Sequence, residues 1–180
     1  MRRLWIILLF GLIAAPASAD RYLTYQDGLA EYDRGNLEAA FATYRRLAES
    51  GDAESQAALG LMFHIGDAVA QNHATAATWF RRAAEQGLAA AQYNLGILYA
   101  NGHGVPRDDV TALKWFALAE SVARNEEERD LAKANRTRIA KRMAAADVAA
   151  AHGLACGWWR ENAWMMAEPV PAPPDCTEER

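Results

Sequence analysis

Apolar positions recur at three- and four-residue steps along most of the chain, the period of helices that bury one face. One spaced set of residues also occurs twice at a single offset. Leu59-Gly60 stands 36 residues before Leu95-Gly96, Phe63 before Tyr99, Gly66 before Gly102, Asn72 before Asp108, and Trp79-Phe80 before Trp115-Phe116. A fixed offset shared by glycines and aromatics is the signature of a helical repeat, in which each unit buries its apolar face against its neighbours.

Three units follow in order. In the first, Tyr22, Tyr25, Leu29 and Tyr32 mark a helix face, Gly35-Asn36 makes a turn, and Ala40, Tyr44 and Leu47 give the second helix an inward stripe ended by Gly51. Asn36 is placed to accept from the free N–H groups of that second helix. Tyr44-Arg45-Arg46 lies 36 residues before Phe80-Arg81-Arg82, so the second helix is in register with the later units although its link is shorter. The second unit opens on Asp52, an expected N-cap, and places Asn72 as the cap of its second helix, with Gly87 beyond the end. The third repeats this with Asp108 as cap and Pro106 at the helix start. Gly60 and Gly96 lack a Cβ and allow close helix approach, while Gly102 and Gly104 allow positive φ in the loop. Trp79 and Trp115 are read as large core side chains between units.

The run Leu95-Gly96-x-x-Tyr99-x-x-Gly102-x-Gly104-Val105-x-x-Asp108, followed by Ala112-x-x-Trp115, resembles the Sel-1-like repeat, a longer-looped relative of the tetratricopeptide repeat. Trp79-Phe80-Arg81-Arg82-Ala83-Ala84-Glu85-Gln86-Gly87 is similar to the closing half of that motif. Thr75, Thr111 and Ala68 depart from it without touching a core position. The resemblance implies an all-α fold, a right-handed α-solenoid of stacked antiparallel helix pairs with a C-terminal capping helix. The expected organisation is a signal segment at 1–19, repeats at 20–51, 52–87 and 88–122, a helical cap at 123–167 and a tail at 168–180.

Composition refines this picture at the two ends. Arg2 and Arg3 lead an apolar run followed by Pro16 and Ala17-Ser18-Ala19, the pattern of a cleavable export signal that is too short to span a bilayer. The formal net charge of −4 becomes about −6 once Arg2 and Arg3 are removed, leaving 17 basic against 23 acidic side chains. Such a chain has no electrostatic footprint for nucleic acid and no second membrane-length apolar stretch. An exported, periplasmic or secreted protein without stable membrane insertion is expected. At the other end, a long helical segment carries Leu131, Ile139, Met143, Ala146 and Ala150 at a helical period, decorated by Lys133, Arg136, Arg138, Lys141 and Arg142 as a solvated face. From Gly153 the Trp-rich stretch with Trp158, Trp159 and Trp164 is read as a final docked helix, with dimerisation through that end left open. Cys156 and Cys176 are the only cysteines, and in an oxidising compartment they favour a disulfide stapling the Pro-rich acidic tail to that helix.

No hydrolytic, P-loop or metal motif occurs, and His64, His73, His103 and His152 do not pair at ligand spacing in the sequence, so no cofactor and no metal site are expected. The resemblance brings in two other functional classes: β-lactamase-like hydrolases of the cell envelope and periplasmic regulators of membrane sensors. The hydrolase class has a cysteine pair in each repeat, which this chain lacks between Asp20 and Ala155. The reading favoured is a non-catalytic interaction module whose helical groove binds a segment of another exported or membrane protein. By register with tetratricopeptide groove positions, Tyr22, Tyr25, Tyr32, Glu54, Ala57, Leu61, His64, Tyr93, Ile97 and Asn101 are expected to line it, with inter-repeat packing the alternative for several of them, Leu61 and Ile97 in particular.

Overall fold

The computed structural model describes residues 23–165, 171–174 and 176. The proposed export signal and Tyr22 lie outside these residues, as does most of the acidic tail. Among the described residues the chain forms eight α-helices and no strand: α1 (Tyr25–Asp33), α2 (Leu37–Glu49), α3 (Ala53–Ile65), α4 (His73–Glu85), α5 (Ala89–Asn101), α6 (Asp109–Val122), α7 (Glu126–Ala140) and α8 (Ala145–Asn162), with a 3-10 turn at Ala163–Met165. Each helix from α1 to α6 packs on the next, and α8 returns to pack on α6. This is the stacked helix-pair solenoid expected from the repeat.

Local sequence explains the element ends. Asp52 and Asn72 accept the backbone N–H groups of Ser55 and Thr75, and the Asp108 carboxylate accepts from Val110 and Thr111. Gly66 and Gly102 close α3 and α5 in the left-handed conformation. Two local expectations fail. Asn36 makes no capping bond and instead donates its amide to Glu31 Oε2 at 2.8 Å, because the short link brings that carboxylate within reach. Pro106 stands in the loop two residues before the Asp108 cap, so it stiffens the approach to α6 and does not occupy its first turn.

Inside each pair one contact recurs. A Cβ on Gly60 would fall 2.8 Å from the Phe80 ring, and one on Gly96 would fall 2.8 Å from the Phe116 ring. Gly28 does the same against Tyr44, at 2.5 Å. Its link of 34–36 is four residues shorter than 66–72 and 102–108, so Gly28 lies 32 residues before Gly60 and escapes the repeat of 36. Phe80, Phe116 and Tyr44 are buried at the seams, each aromatic worth about 2–3 kcal/mol in area removed from water.

A second device joins successive pairs. Gln56 and Gln92, also 36 apart, are buried and donate to the C-terminal carbonyls of Ala48 and Ala84, both at 3.1 Å. Each carbonyl also accepts the N–H of the glycine that follows its helix, Gly51 or Gly87, and the glutamine adds a second bond to that helix end from across the unit boundary. Trp115 is buried as expected, whereas Trp79 is only half-buried and lies beneath the Arg82 guanidinium at 4.6 Å.

The C-terminal region departs from its expected form. The segment 126–162 is two helices broken at 141–144, where Ala144 is extended, and not one long helix followed by a new start at Gly153. Gly153 and Gly157 lie inside α8 with open space beside them. Both helices pack on α6, α8 through Ala155 and Trp158, whose ring meets Trp115 at 6.3 Å. The basic cluster of α7 and the turn that follows it is also not uniformly solvated. Arg136 pairs with Glu120 at 2.7 Å, both side chains mostly buried, and Arg142 holds Asp109 at 2.6 and 2.8 Å. Cys156 in α8 is bonded to Cys176, with their Cα atoms 5.5 Å apart. Closing this loop stabilises the cap by about 3 kcal/mol.

The Arg142 pair gives a pH signature. The Arg142 guanidinium, then Arg107, holds the Asp109 carboxyl below its ordinary range despite partial burial. Its stabilising effect is therefore complete above about pH 4 and lost as pH falls through the lowered folded value. Arg142→Ala should cost about 0.5–1 kcal/mol near neutrality, modest because Arg142 is 44% exposed. In urea unfolding followed across pH, that deficit should shrink to nothing at the acid end.

Candidate functional site

A cleft of about 500 Å³ is bounded by α1, α3 and the start of α5. Tyr25, Leu29 and Tyr32 project from one side, Glu54, Ala57, Leu61 and Met62 from another, and Leu88, Ala90 and Asn94 close the third. Arg124, from the link before α7, reaches over it to Glu54 at 3.2 Å. The Tyr25 and Tyr44 rings stand 5.5 Å apart at its base.

The hydroxyls in this cleft stay protonated. Burial pushes the Tyr44 phenol up to about 12, with Tyr25 and Asp33 adding to it. Burial also raises Tyr25, reinforced by the negative charges of Glu54, Asp33 and Asp52. Tyr32 is raised chiefly by donating its hydroxyl to Asp67 Oδ2 at 2.7 Å. The cleft therefore combines apolar walls with tyrosine hydroxyls in a locally negative field, which suits recognition by burial and hydrogen bonding.

Of the residues expected to line a groove, Tyr25, Tyr32, Glu54, Ala57 and Leu61 come together here. Tyr93 sits in a smaller depression under α7, takes a hydrogen bond from Asn135 Nδ2 at 3.0 Å and packs on Phe116. Ile97 packs in the cluster formed by Phe116 and Ile139, and Asn101 is exposed at the end of α5. Asn94 occupies the cleft edge in place of Tyr93, one residue further round the helix. Arg124 carried no sequence signal for this role, since only the fold brings it back to Glu54.

His64 lies elsewhere, in a group that sequence spacing did not indicate. It lies in the last turn of α3, His73 begins α4 and His103 lies in the α5–α6 loop. His64 Nδ1 and His73 Nδ1 are 3.1 Å apart, and the His103 ring stacks on His73 at 5.1 Å and 16°. Burial, then the neighbouring His73 and His103, disfavours the charged form of His64. Gly104, at φ +72°, seats this loop directly on the backbone of His73 and Ala74. Among the described residues, no group of three or more His, Cys, Asp or Glu side chains is arranged to hold a metal ion.

Comparison with known proteins places these features. The Sel1 repeat matches residues 53–88 and 89–121, the helix pairs α3–α4 and α5–α6. A Sel1 repeat protein from Oxalobacter formigenes is similar at 30% identity and a TM-score of 0.54, over 61% of this chain and 85% of that one. The crystal structure of c5321, a protective antigen present in uropathogenic Escherichia coli strains and displaying an SLR fold, is similar at 30% identity and a TM-score of 0.70, over 77% of this chain. This chain spans 29% of the antigen's length. No curated protein matches.

The seat of the histidine-bearing loop is directly testable. A Cβ at residue 104 would lie 2.2–2.4 Å from the His73 and Ala74 backbone, in a conformation unfavourable to L residues. Gly104→Ala should therefore lower stability by about 2 kcal/mol or more in denaturant unfolding.

Proposed function

The chain belongs to the Sel1 repeat family, and we propose that it acts as a non-catalytic interaction module that holds a segment of another exported or membrane protein in the α1–α3–α5 cleft. Sel1 repeats typically serve as protein–protein interaction modules. The observation that carries the reading is the cleft itself, with exposed Leu61, three lining tyrosines and an amide edge at Asn94. Tyrosines supply contact area and hydroxyl donors at low entropic cost, as binding hot spots require.

The charges indicate the occupant's chemistry. Glu54, Asp33 and Asp52 act on Tyr25, while Arg124, the cation at the rim, is spent on Glu54. A segment presenting apolar side chains and a lysine or arginine complements this field. Export is supported by the Cys156–Cys176 bridge, since disulfides persist in oxidising compartments. No described helix is long and apolar enough to cross a membrane. A scaffold and a regulator of a membrane sensor would use the same cleft, and they differ in the partner alone.

The test is site-specific photocrosslinking in the native envelope. A photoreactive side chain at Leu61 should give a discrete partner adduct, and the same group at exposed Leu154 on α8 should not. Tyr25→Ala should reduce that adduct about tenfold while the circular dichroism of the protein stays helical. Equal adducts from both positions, or no effect of Tyr25→Ala, would remove the cleft from consideration.

A further inference from the structure

Three of the chain's four histidines converge from three separate elements. Nothing in the packing of the repeat requires them there, because the loop is already seated by Gly104 and the α3 end by Gly66. The geometry of the first two is specific. Their Nδ1 atoms face each other at 3.1 Å, so in the neutral pair one Nδ1–H donates to the other's lone pair.

The same separation suits two ligands of one metal ion once each ring turns its Nδ1 lone pair from the other nitrogen toward the ion. With metal–nitrogen bonds of about 2.05 Å, nitrogens 3.1 Å apart subtend roughly 98° at the ion, between the square-planar and tetrahedral angles. We propose that His64 and His73 form an open binding site for a divalent d-block cation such as zinc or copper(II), bound through both Nδ1 atoms. Imidazole nitrogen selects such ions over calcium or magnesium, which take oxygen ligands.

The surroundings fit an exchangeable site. His103 stacks flat on His73, and its loop rests on the His73 backbone, so the His73 ring is braced from one side. Gln71 ties the α3–α4 link to the His64 carbonyl at 2.8 Å, bracing the other ligand's backbone. No third His, Cys, Asp or Glu among the described residues completes an enclosed set, so water or a group from a bound partner fills the remaining positions, as at open sites. Binding needs no net loss of a proton from the pair. The hydrogen shared between the two Nδ1 atoms moves to an Nε2, and both rings remain neutral.

The test is calorimetric titration of the purified full-length chain, first stripped with chelator, with zinc chloride and separately with copper(II) at pH 7.5. One saturable site per chain is expected. His64→Gln or His73→Gln should weaken it about tenfold or more, because each removes one of two protein ligands, whereas His152→Gln should leave it unchanged. Ring-nitrogen NMR of the unmutated protein provides a readout independent of variant folding, with zinc shifting the Nδ1 resonances of His64 and His73. Absence of a saturable site would overturn the proposal, as would binding that survives both substitutions or zinc-induced shifts confined to other histidines.

Discussion

The structure depends on one contact made three times: a helix without a side chain at one position admits an aromatic ring from the helix paired with it. Gly28 receives Tyr44, Gly60 receives Phe80 and Gly96 receives Phe116. The contact brings two helix backbones closer than any Cβ would allow, and it buries a ring at the seam of every unit. Gln56 and Gln92 then satisfy helix ends across the unit boundaries, so the stack is joined by apolar packing and by buried polar bonds at the same period. An array built this way transmits its geometry from pair to pair, as nearest-neighbour architectures do.

Everything with functional potential lies where this scaffold leaves freedom. The cleft forms where α1, α3 and α5 present their outer positions side by side, with Tyr25, Leu61 and Asn94 free to differ from unit to unit. The histidine group forms on the loop side, where the ends of α3 and α5 face the start of α4. The cleft is a product of stacking, whereas the His64–His73 contact lies within the α3–α4 pair and stacking adds only His103 from the next unit. The cap completes the array differently: α7 and α8 both lean on α6, through the Arg136–Glu120 pair and the Trp158–Trp115 contact respectively.

The repeat was legible because like residues at one offset do like jobs, Gly60 and Gly96 admitting a ring and Asn72 and Asp108 capping a helix. Gly28 was missed for a physical reason: a turn four residues shorter moves it out of the common register while leaving its contact intact. Gln56 and Gln92 carried the same offset and could have been found, had buried polar side chains been sought along with apolar ones. The break between α7 and α8 left no trace, because alanine-rich sequence around Ala144 contains no breaker and Ala144 offers no side-chain cap. Tyr25, Tyr32, Glu54 and Ala57 were assignable to one face from α1 and α3 alone. Tyr93 was not, since the covering helix α7 and its Asn135 bond are tertiary facts. The histidines were opaque for the same reason, as contacts among α3, α4 and a loop have no periodicity to read.

The glycine–aromatic contact is tested most directly by a double-mutant cycle on Gly96 and Phe116, read as unfolding free energies. Gly96→Ala alone should cost about 2 kcal/mol by overpacking. With Phe116→Leu already in place, the added methyl should cost less by about 1 kcal/mol or more, because the ring it collides with is gone. Costs that simply add within about 0.5 kcal/mol would show that the two residues do not constrain each other and would contradict the account.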